Sequence, residues 1–481
     1  MNDNRRLFWV LAAILVLCTL PWLGVADFYT KGEPREAIVA QTMLDQGNWI
    51  LARNNGGEMA FKPPFFHWMI ALVSLPLGHV TEWTARAPSA LAAIIMLLWM
   101  FRLYSRRRDG DTAFLAVLLT FSTFEVYRAA FACRVDMMLA LGIVGALFAF
   151  FEWSERGLRG LPWLAVLMMS VGTLSKGPVA ILLPCAATGL YLLLRRERLM
   201  PVVGWLTLSG ALALVLPALW YWAAGEQGGG EFWRLVKEEN VDRFLGKMTY
   251  ASHENGLWYY FVMLPAGLLP WVLPVGWMAW KRRAEIGGPG RWLRLSPETL
   301  FSIVAALVIF VFYCIPKSKR GVYLLPMYPF VGWLMAIALR QWSLRVRRWA
   351  FAVVLSLWVL AFGVVVPLLM RSKSDRDIAR DIRDMGLKKP LTSYLAWNIP
   401  GNRAHFFTVN FYLRDGLGYW DGTLREGYIL LCEDHVEQFL LENPHVSLDR
   451  VYRSRHKSCD AKRYLELYEF SQLSPARSIS K

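Results

Sequence analysis

Apolar residues run through this chain in long blocks divided by short charged segments. Runs such as LFWVLAAILVLCTLPWLGVA (7–26) and WAFAVVLSLWVLAFGVVVPLLM (349–370) reach the roughly 20 apolar residues that a helix needs to cross about 30 Å of hydrocarbon. Such blocks lie near 7–26, 86–104, 112–131, 135–152, 161–174, 178–194, 202–224, 257–280, 298–316, 322–340 and 348–370, which predicts about eleven crossings. The first block follows Arg5 and Arg6 and lacks a small-x-small cleavage site, so it reads as a retained anchor and not a signal peptide. PPFFHWMIALVSLPLG (63–78) is apolar enough to cross, yet a crossing there would invert every later loop. It is therefore predicted as a juxtamembrane or re-entrant element. After Met370 the pattern changes: SDRDIARDIRDMG, LTSYLAW, EGYILLCEDHVEQFLLENP and RYLELYEFSQ alternate helical and strand periodicity, which predicts a small α/β domain.

The fold class read from this pattern is mostly α: a polytopic membrane helical bundle over 1–370, with an external juxtamembrane loop at 27–85 and a C-terminal external α/β domain at 371–481. Composition agrees, since 56% of the 481 residues are hydrophobic and 23 are Trp, more apolar surface than a soluble domain can hide. The net charge of +16 raises the question of nucleic acid, but its distribution answers it. SRRRDGD (105–111), SERGLRG (154–160), RRERL (195–199), KRR (281–283) and LRVRR (344–348) fall in alternate loops, as the positive-inside rule places them for a cytoplasmic N-terminus. No nucleic-acid partner is implied; the partner is the bilayer.

The same alternation puts 27–85, the turn at 132–136, SKGP (175–178), 225–256, KSKRG (317–321) and the C-terminal domain on the outer face. That face should carry few cations, yet it holds Lys62, Arg134, Lys176, Arg243, Lys317, Lys319 and Arg320, beside Glu33 and Asp136. Cations gathered at a membrane face point to an anionic head group, with phosphate the natural ligand. Each residue also has a plain structural explanation. EPREAIVAQTML (33–44) reads equally as an amphipathic helix lying on the membrane, Asp136 as a helix cap or partner of Arg134, and Arg243 as part of a solvated helix with Glu239 and Asp242. Lys62 could snorkel, but Pro63 and Pro64 stiffen its backbone and present the ammonium from an extended segment. Tyr323 and Tyr328 in KSKRGVYLLPMYP suit head-group depth. The seven His show no HExxH spacing, and neither a phosphate-binding GxxxxGK[ST] loop nor a serine nucleophile elbow occurs. Zinc chemistry and nucleotide hydrolysis are thereby disfavoured.

GEPREAIVAQTML (32–44) followed by NWILARNNGGEMAFKPPFFHW (48–68) resembles the first external loop of GT-C glycosyltransferases. TARAPSALAAI, CRVDMMLA, SKGPVAILLP, DRFLGKMTYASHENGLWYY and KSKRGVYLLPMYP resemble later segments in the same order. The most similar groups are the bacterial aminoarabinose lipid A transferases and the protein O-mannosyltransferases, glycosyltransferase families 83 and 39. The resemblance implies about 11 to 13 transmembrane helices, the bacterial inner membrane and a periplasmic active site. It also implies a monomer without a cofactor, in which a divalent cation is not indicated. A sugar would pass from a polyprenyl monophosphate carrier to a lipid, glycan or protein acceptor.

On this resemblance Glu33 and Asp136 are the catalytic carboxylates, and Lys62 and Arg243 hold the carrier phosphate, with Arg320 as a further cation. Arg35, Lys176, His253, Lys317 and Tyr323 complete the substrate-binding set. Two departures stand out: Gly32-Glu33 replaces a common Asp-Glu, and Phe61 replaces a Glu before the Lys-Pro pair. A lipid-linked sugar flippase or transporter is the alternative, although no inverted hydropathy repeat supports it. Cys432 and Cys459 both fall in the external domain, where an oxidising compartment allows a disulfide.

Overall fold

Each predicted apolar block is helical in the computed structural model, which describes residues 2–54, 56–242, 254–281, 295–394 and 406–472. Among the described residues, seven helices are long and apolar enough to cross a membrane: Asp3–Trp22, Glu82–Arg107, Val135–Ser154, Leu199–Asp242, Pro297–Cys314, Gly321–Leu339 and Leu344–Arg371. Two further blocks are bent pairs, Gly110–Phe121 with Phe124–Ala130 (72°) and Tyr259–Gly267 with Val272–Met278 (101°). The shorter Trp163–Lys176 and Val179–Leu194 fill the remaining two predicted positions. Residues 63–78 give only the short helix Phe65–Ser74 and the 3-10 turn Leu75–Leu77, shorter than a span.

A helix broken inside a bilayer leaves backbone groups that water cannot satisfy. Here the two breaks satisfy each other. The Phe124 amide donates to the Leu269 carbonyl at 2.9 Å, Trp271 Nε1 donates to Ser122 Oγ at 2.9 Å, and Trp358 Nε1 donates to the Ser122 carbonyl at 2.8 Å.

The chain divides into two units. One comprises Met1–Leu23, Phe61–Met69 and Arg86–Gly363; the other comprises Gly24–Ala60, Ile70–Ala85 and Val364–Lys481. Residues 24–60 and 70–85 thus group with Val364–Lys481, beside the composition change at residue 370. The loop helix Gly32–Gln46 packs on Phe407–Tyr412. Phe28 meets Phe411 edge-on at 4.9 Å, the Phe28 amide donates to Tyr412 Oη at 3.0 Å, Tyr412 Oη donates to Glu82 at 2.9 Å, and Thr42 Oγ1 donates to Asp415 at 2.9 Å. Arg376 pairs with Asp27 at 2.8 Å. Eleven of the fifteen residues of Gly32–Gln46 are buried, so it is not a helix lying exposed on a membrane. Ala37, Ile38, Ala40 and Met43, each at most 1% exposed, supply the apolar burial that holds it.

The C-terminal part of this unit is the predicted α/β domain. Its sheet has strand order Gly418–Tyr419, Leu391–Ser393, Glu426–Cys432, Leu465–Gln472, Val446–Arg453, parallel across the first three strands and antiparallel thereafter. Cys432 and Cys459 are both free and buried. Cys432 lies in an apolar cluster with Leu430, Leu465 and Leu467, while the Cys459 thiol donates to Thr408 Oγ1 at 3.4 Å. Burial pushes the Cys432 thiol up to about 12, and only the thiolate reacts readily. Native protein without reductant should therefore alkylate slowly at both, and unfolded protein completely. Mass spectrometry after iodoacetamide checks this; a mass showing Cys432 and Cys459 both unalkylated in the unfolded, unreduced chain would contradict it.

Candidate functional site

Asp136 and Lys176 of the membrane unit, with Arg134 and Arg320 acting on Asp136, gather by the 3-10 turn Gly321–Met327. This turn packs on Val135–Ser154, Pro297–Cys314, Tyr259–Gly267 and Phe124–Ala130, so residues scattered over two hundred positions meet around it. Asp136 stands in the first turn of Val135–Ser154, where the positive end of the helix dipole favours a carboxylate. Lys176 ends the helix Trp163–Lys176, which Gly177 terminates at φ 123°. The Lys176 ammonium forms an ion pair with Asp136 Oδ1 and lies 4.2 Å from the centroid of the Tyr323 ring, a cation–π arrangement. The Tyr323 ring is packed in turn on Tyr313 at 5.6 Å.

Two glycines make this pairing possible. A Cβ on Gly142 would come within 2.7 Å of Gly172 Cα, so the helices Val135–Ser154 and Trp163–Lys176 touch backbone to backbone. Asp136 and Lys176 lie on these two helices, respectively six and four residues from that crossing. The charges of Arg134 and Arg320 also act on Asp136. Three cations thus act on one carboxylate at one end of a membrane helix. Such an arrangement can bind a dianion and stabilise negative charge as it develops.

The structure brings together Asp136, Lys176, Arg320 and Tyr323 of the predicted residues. Lys62 is half-buried in the same unit, with Pro63 and Pro64 buried after it. Lys317 is exposed, and its carbonyl accepts from the Asn255 amide at 3.1 Å. Arg243 and His253 lie outside the described residues. Glu33 and Arg35 belong to the other unit. Glu33 is 7% exposed in the first turn of Gly32–Gln46, and Arg35 donates to Glu36 at 2.7 Å.

Sequence reading passed over Glu36, which is 4% exposed. Its spacing of three from Glu33 puts both acids on one helix face and could have marked it. It also passed over Gly142 and Gly172, for which no local signal exists, and left Lys319 out of the site. Two donor groups of metal-binding type, Cys432/Asp434/His435 and Asp375/Cys459/Asp460, lie in the C-terminal domain and share no residue with this site.

The chain superposes on the crystal structure of ArnT from Cupriavidus metallidurans bound to undecaprenyl phosphate, with a TM-score of 0.73 over 96% of this chain and 97% of that one at 19% identity. The apo form of the same protein gives 0.72 at 20% identity. This is a GT-C membrane fold. Within the GT-C bundle, residues 61–222 match the family model described as dolichyl-phosphate-mannose-protein mannosyltransferase, a stretch that holds Lys62, Asp136 and Lys176. The chain is 29% identical over 320 residues to the undecaprenyl phosphate-α-4-amino-4-deoxy-L-arabinose arabinosyl transferase of Shewanella sediminis, covering 65% of this chain and 56% of that one. It is 28% identical over 385 residues to the Pectobacterium carotovorum transferase of the same name, covering 75% and 65%. The chain thus spans somewhat over half the length of these two relatives.

Proposed function

We propose that this GT-C protein is a glycosyltransferase that moves a sugar from a polyprenyl monophosphate carrier to a lipid, glycan or protein acceptor, at the periplasmic face of a bacterial inner membrane. The observation that carries the reading is the Asp136–Lys176–Tyr323 cluster, on whose carboxylate the charges of Arg134 and Arg320 also act: cations gathered at one end of a membrane helix, where a lipid phosphate would lie. The names of the relatives, undecaprenyl phosphate-linked arabinosyl transferases, support the same carrier class.

In this reaction the bond from the anomeric carbon to the phosphate oxygen breaks, and a bond to the acceptor oxygen forms. The phosphate leaves with the electron pair, and the acceptor hydroxyl loses its proton to a carboxylate. Lys62, Arg243 and Arg320 serve the first need, because departing negative charge is stabilised by cations already in place. Glu33 serves the second as general base. Asp136, whose charge is engaged by Lys176, positions the acceptor and fixes Lys176 and Tyr323 in turn. Glu36 holds Arg35.

Incubation of the purified protein with undecaprenyl-phosphate aminoarabinose and a membrane lipid acceptor tests the reading: a transferase releases free undecaprenyl phosphate, whereas a flippase leaves the donor intact. Glu33→Gln should fold, bind donor and turn over about 10² to 10⁴ times more slowly, the effect of losing positioned proton transfer. Lys62→Ala should weaken donor binding by about 1.5–3 kcal/mol, the size of a charge-assisted contact. Unaltered turnover in the first or unaltered affinity in the second removes that residue from its role.

A further inference from the structure

Lysine is almost never fully buried unless it is paired, and Lys319 is 2% exposed. Its ammonium donates to the carbonyls of Asn255, at 3.1 Å, and Pro316. Among the described residues no carboxylate forms an ion pair with it. Two neutral carbonyls satisfy donor geometry but, among the described residues, no carboxylate stands within ion-pair distance of the ammonium, and a buried charge without a counter-charge is costly. The neighbouring residues show that this burial is built in. Lys317, two positions earlier, is exposed and Arg320, one position later, is only half-buried, so of the three cations in KSKRG the fold encloses Lys319.

The same ammonium sits inside a reciprocal clasp. Asn255 donates from its amide to the Lys317 carbonyl at 3.1 Å and from Nδ2 to the Lys319 carbonyl at 3.4 Å, while Glu254 and Ser318 form an isolated antiparallel bridge. The segments 254–255 and 316–319 are thereby held as one piece. Directly after that piece come Arg320, whose charge acts on Asp136, and the turn bearing Tyr323.

We infer that Lys319 is a positioning residue for the carrier phosphate: it clasps the two segments so that Arg320 is held at the site, and its charge adds to the field that draws the anion. This rests on the transferase reading above. A clasp alone would be served by a neutral side chain; the charge has a use only if an anion completes it.

The test compares wild type, Lys319→Gln and Lys319→Arg for binding of undecaprenyl phosphate, for thermal stability in detergent, and for KM and kcat with the undecaprenyl-phosphate sugar. Lys319→Gln keeps N–H donors for the clasp and loses the charge. It should bind undecaprenyl phosphate about tenfold more weakly and raise KM to match, with kcat within about threefold and the melting temperature little changed. Lys319→Arg should recover most of the affinity. Wild-type affinity in Lys319→Gln overturns the inference, as does an affinity that follows the melting temperature in both variants. If Lys319→Gln does not fold, Lys319→Arg decides alone: affinity within threefold of wild type supports the charge, and a tenfold loss refutes it. Failure of the wild type itself to bind undecaprenyl phosphate would instead overturn the transferase reading.

Discussion

Lys176→Met should abolish measurable turnover and cost the protein about 1.5–3 kcal/mol, the size of a charge-assisted contact, because Asp136 is buried while the Lys176 side chain is 30% exposed. The geometry explains both effects. Asp136 is 8% exposed and pairs with Lys176; without the ammonium its carboxylate stays in a low-dielectric setting with less compensation. Tyr323 loses the cation held 4.2 Å from its ring, so the turn Gly321–Met327 loses its anchor. The double variant Lys176→Met with Asp136→Asn removes both charges, and its stability should recover most of the loss while turnover stays absent. That difference separates folding from chemistry. Thermal denaturation in detergent and donor turnover, measured on all three proteins, check it. Wild-type stability in Lys176→Met, or restored turnover in the double variant, would show that the pair is not a functional unit.

Removing the chain after Met370 should eliminate turnover although every candidate site residue remains. The helix Gly32–Gln46, which carries Glu33, is packed on Phe407–Tyr412 and tied by Tyr412, Asp415 and Arg376. Uncovering Phe28, Ile38 and Met43, each at most 1% exposed, forfeits about 1.5–3 kcal/mol per large apolar side chain. A fifteen-residue helix has no reserve to absorb this, since isolated helices of that length are marginal in water. Proteolysis should then cut between residues 27 and 60, where the full chain resists. The point variant Tyr412→Phe is the finer probe. It strips the Phe28 amide and Glu82 of a shared hydroxyl, at about 1–3 kcal/mol, and should lower turnover more than donor affinity. A truncated protein that still turns over would make the C-terminal unit dispensable.

Both expectations concern contacts that lie far apart in the chain, and this marks what could be read beforehand. The spans were legible because a bilayer imposes one local demand, about 20 apolar residues in a row, and Leu344–Arg371 or Val135–Ser154 meet it without help from neighbours. The α/β character after Met370 was legible for the same reason: EGYILLC carries strand patterning in its own residues. Outward cations such as Lys62, Lys176 and Arg320 stood out because the positive-inside rule left them unexplained.

What only the tertiary structure decided is which of these groups meet. Asp136 and Lys176 are forty residues apart, and their pairing depends on Gly142 and Gly172 letting two backbones touch; a glycine in an apolar run gives no sign of what it will face. Glu33 reads as part of an amphipathic helix on the membrane or as a catalytic acid, and its burial shows only once Phe411 and Tyr412, nearly four hundred positions later, are found packed beside its helix and the residues before it. Lys319 reads as one more basic residue in KSKRG, and only the fold turns it inward onto the Asn255 carbonyl. The sequence by itself determined which segments leave water, because transfer free energy is a property of each segment alone. The site required the packed chain, because the energy of a charge or hydrogen bond depends on the partner that packing brings within reach.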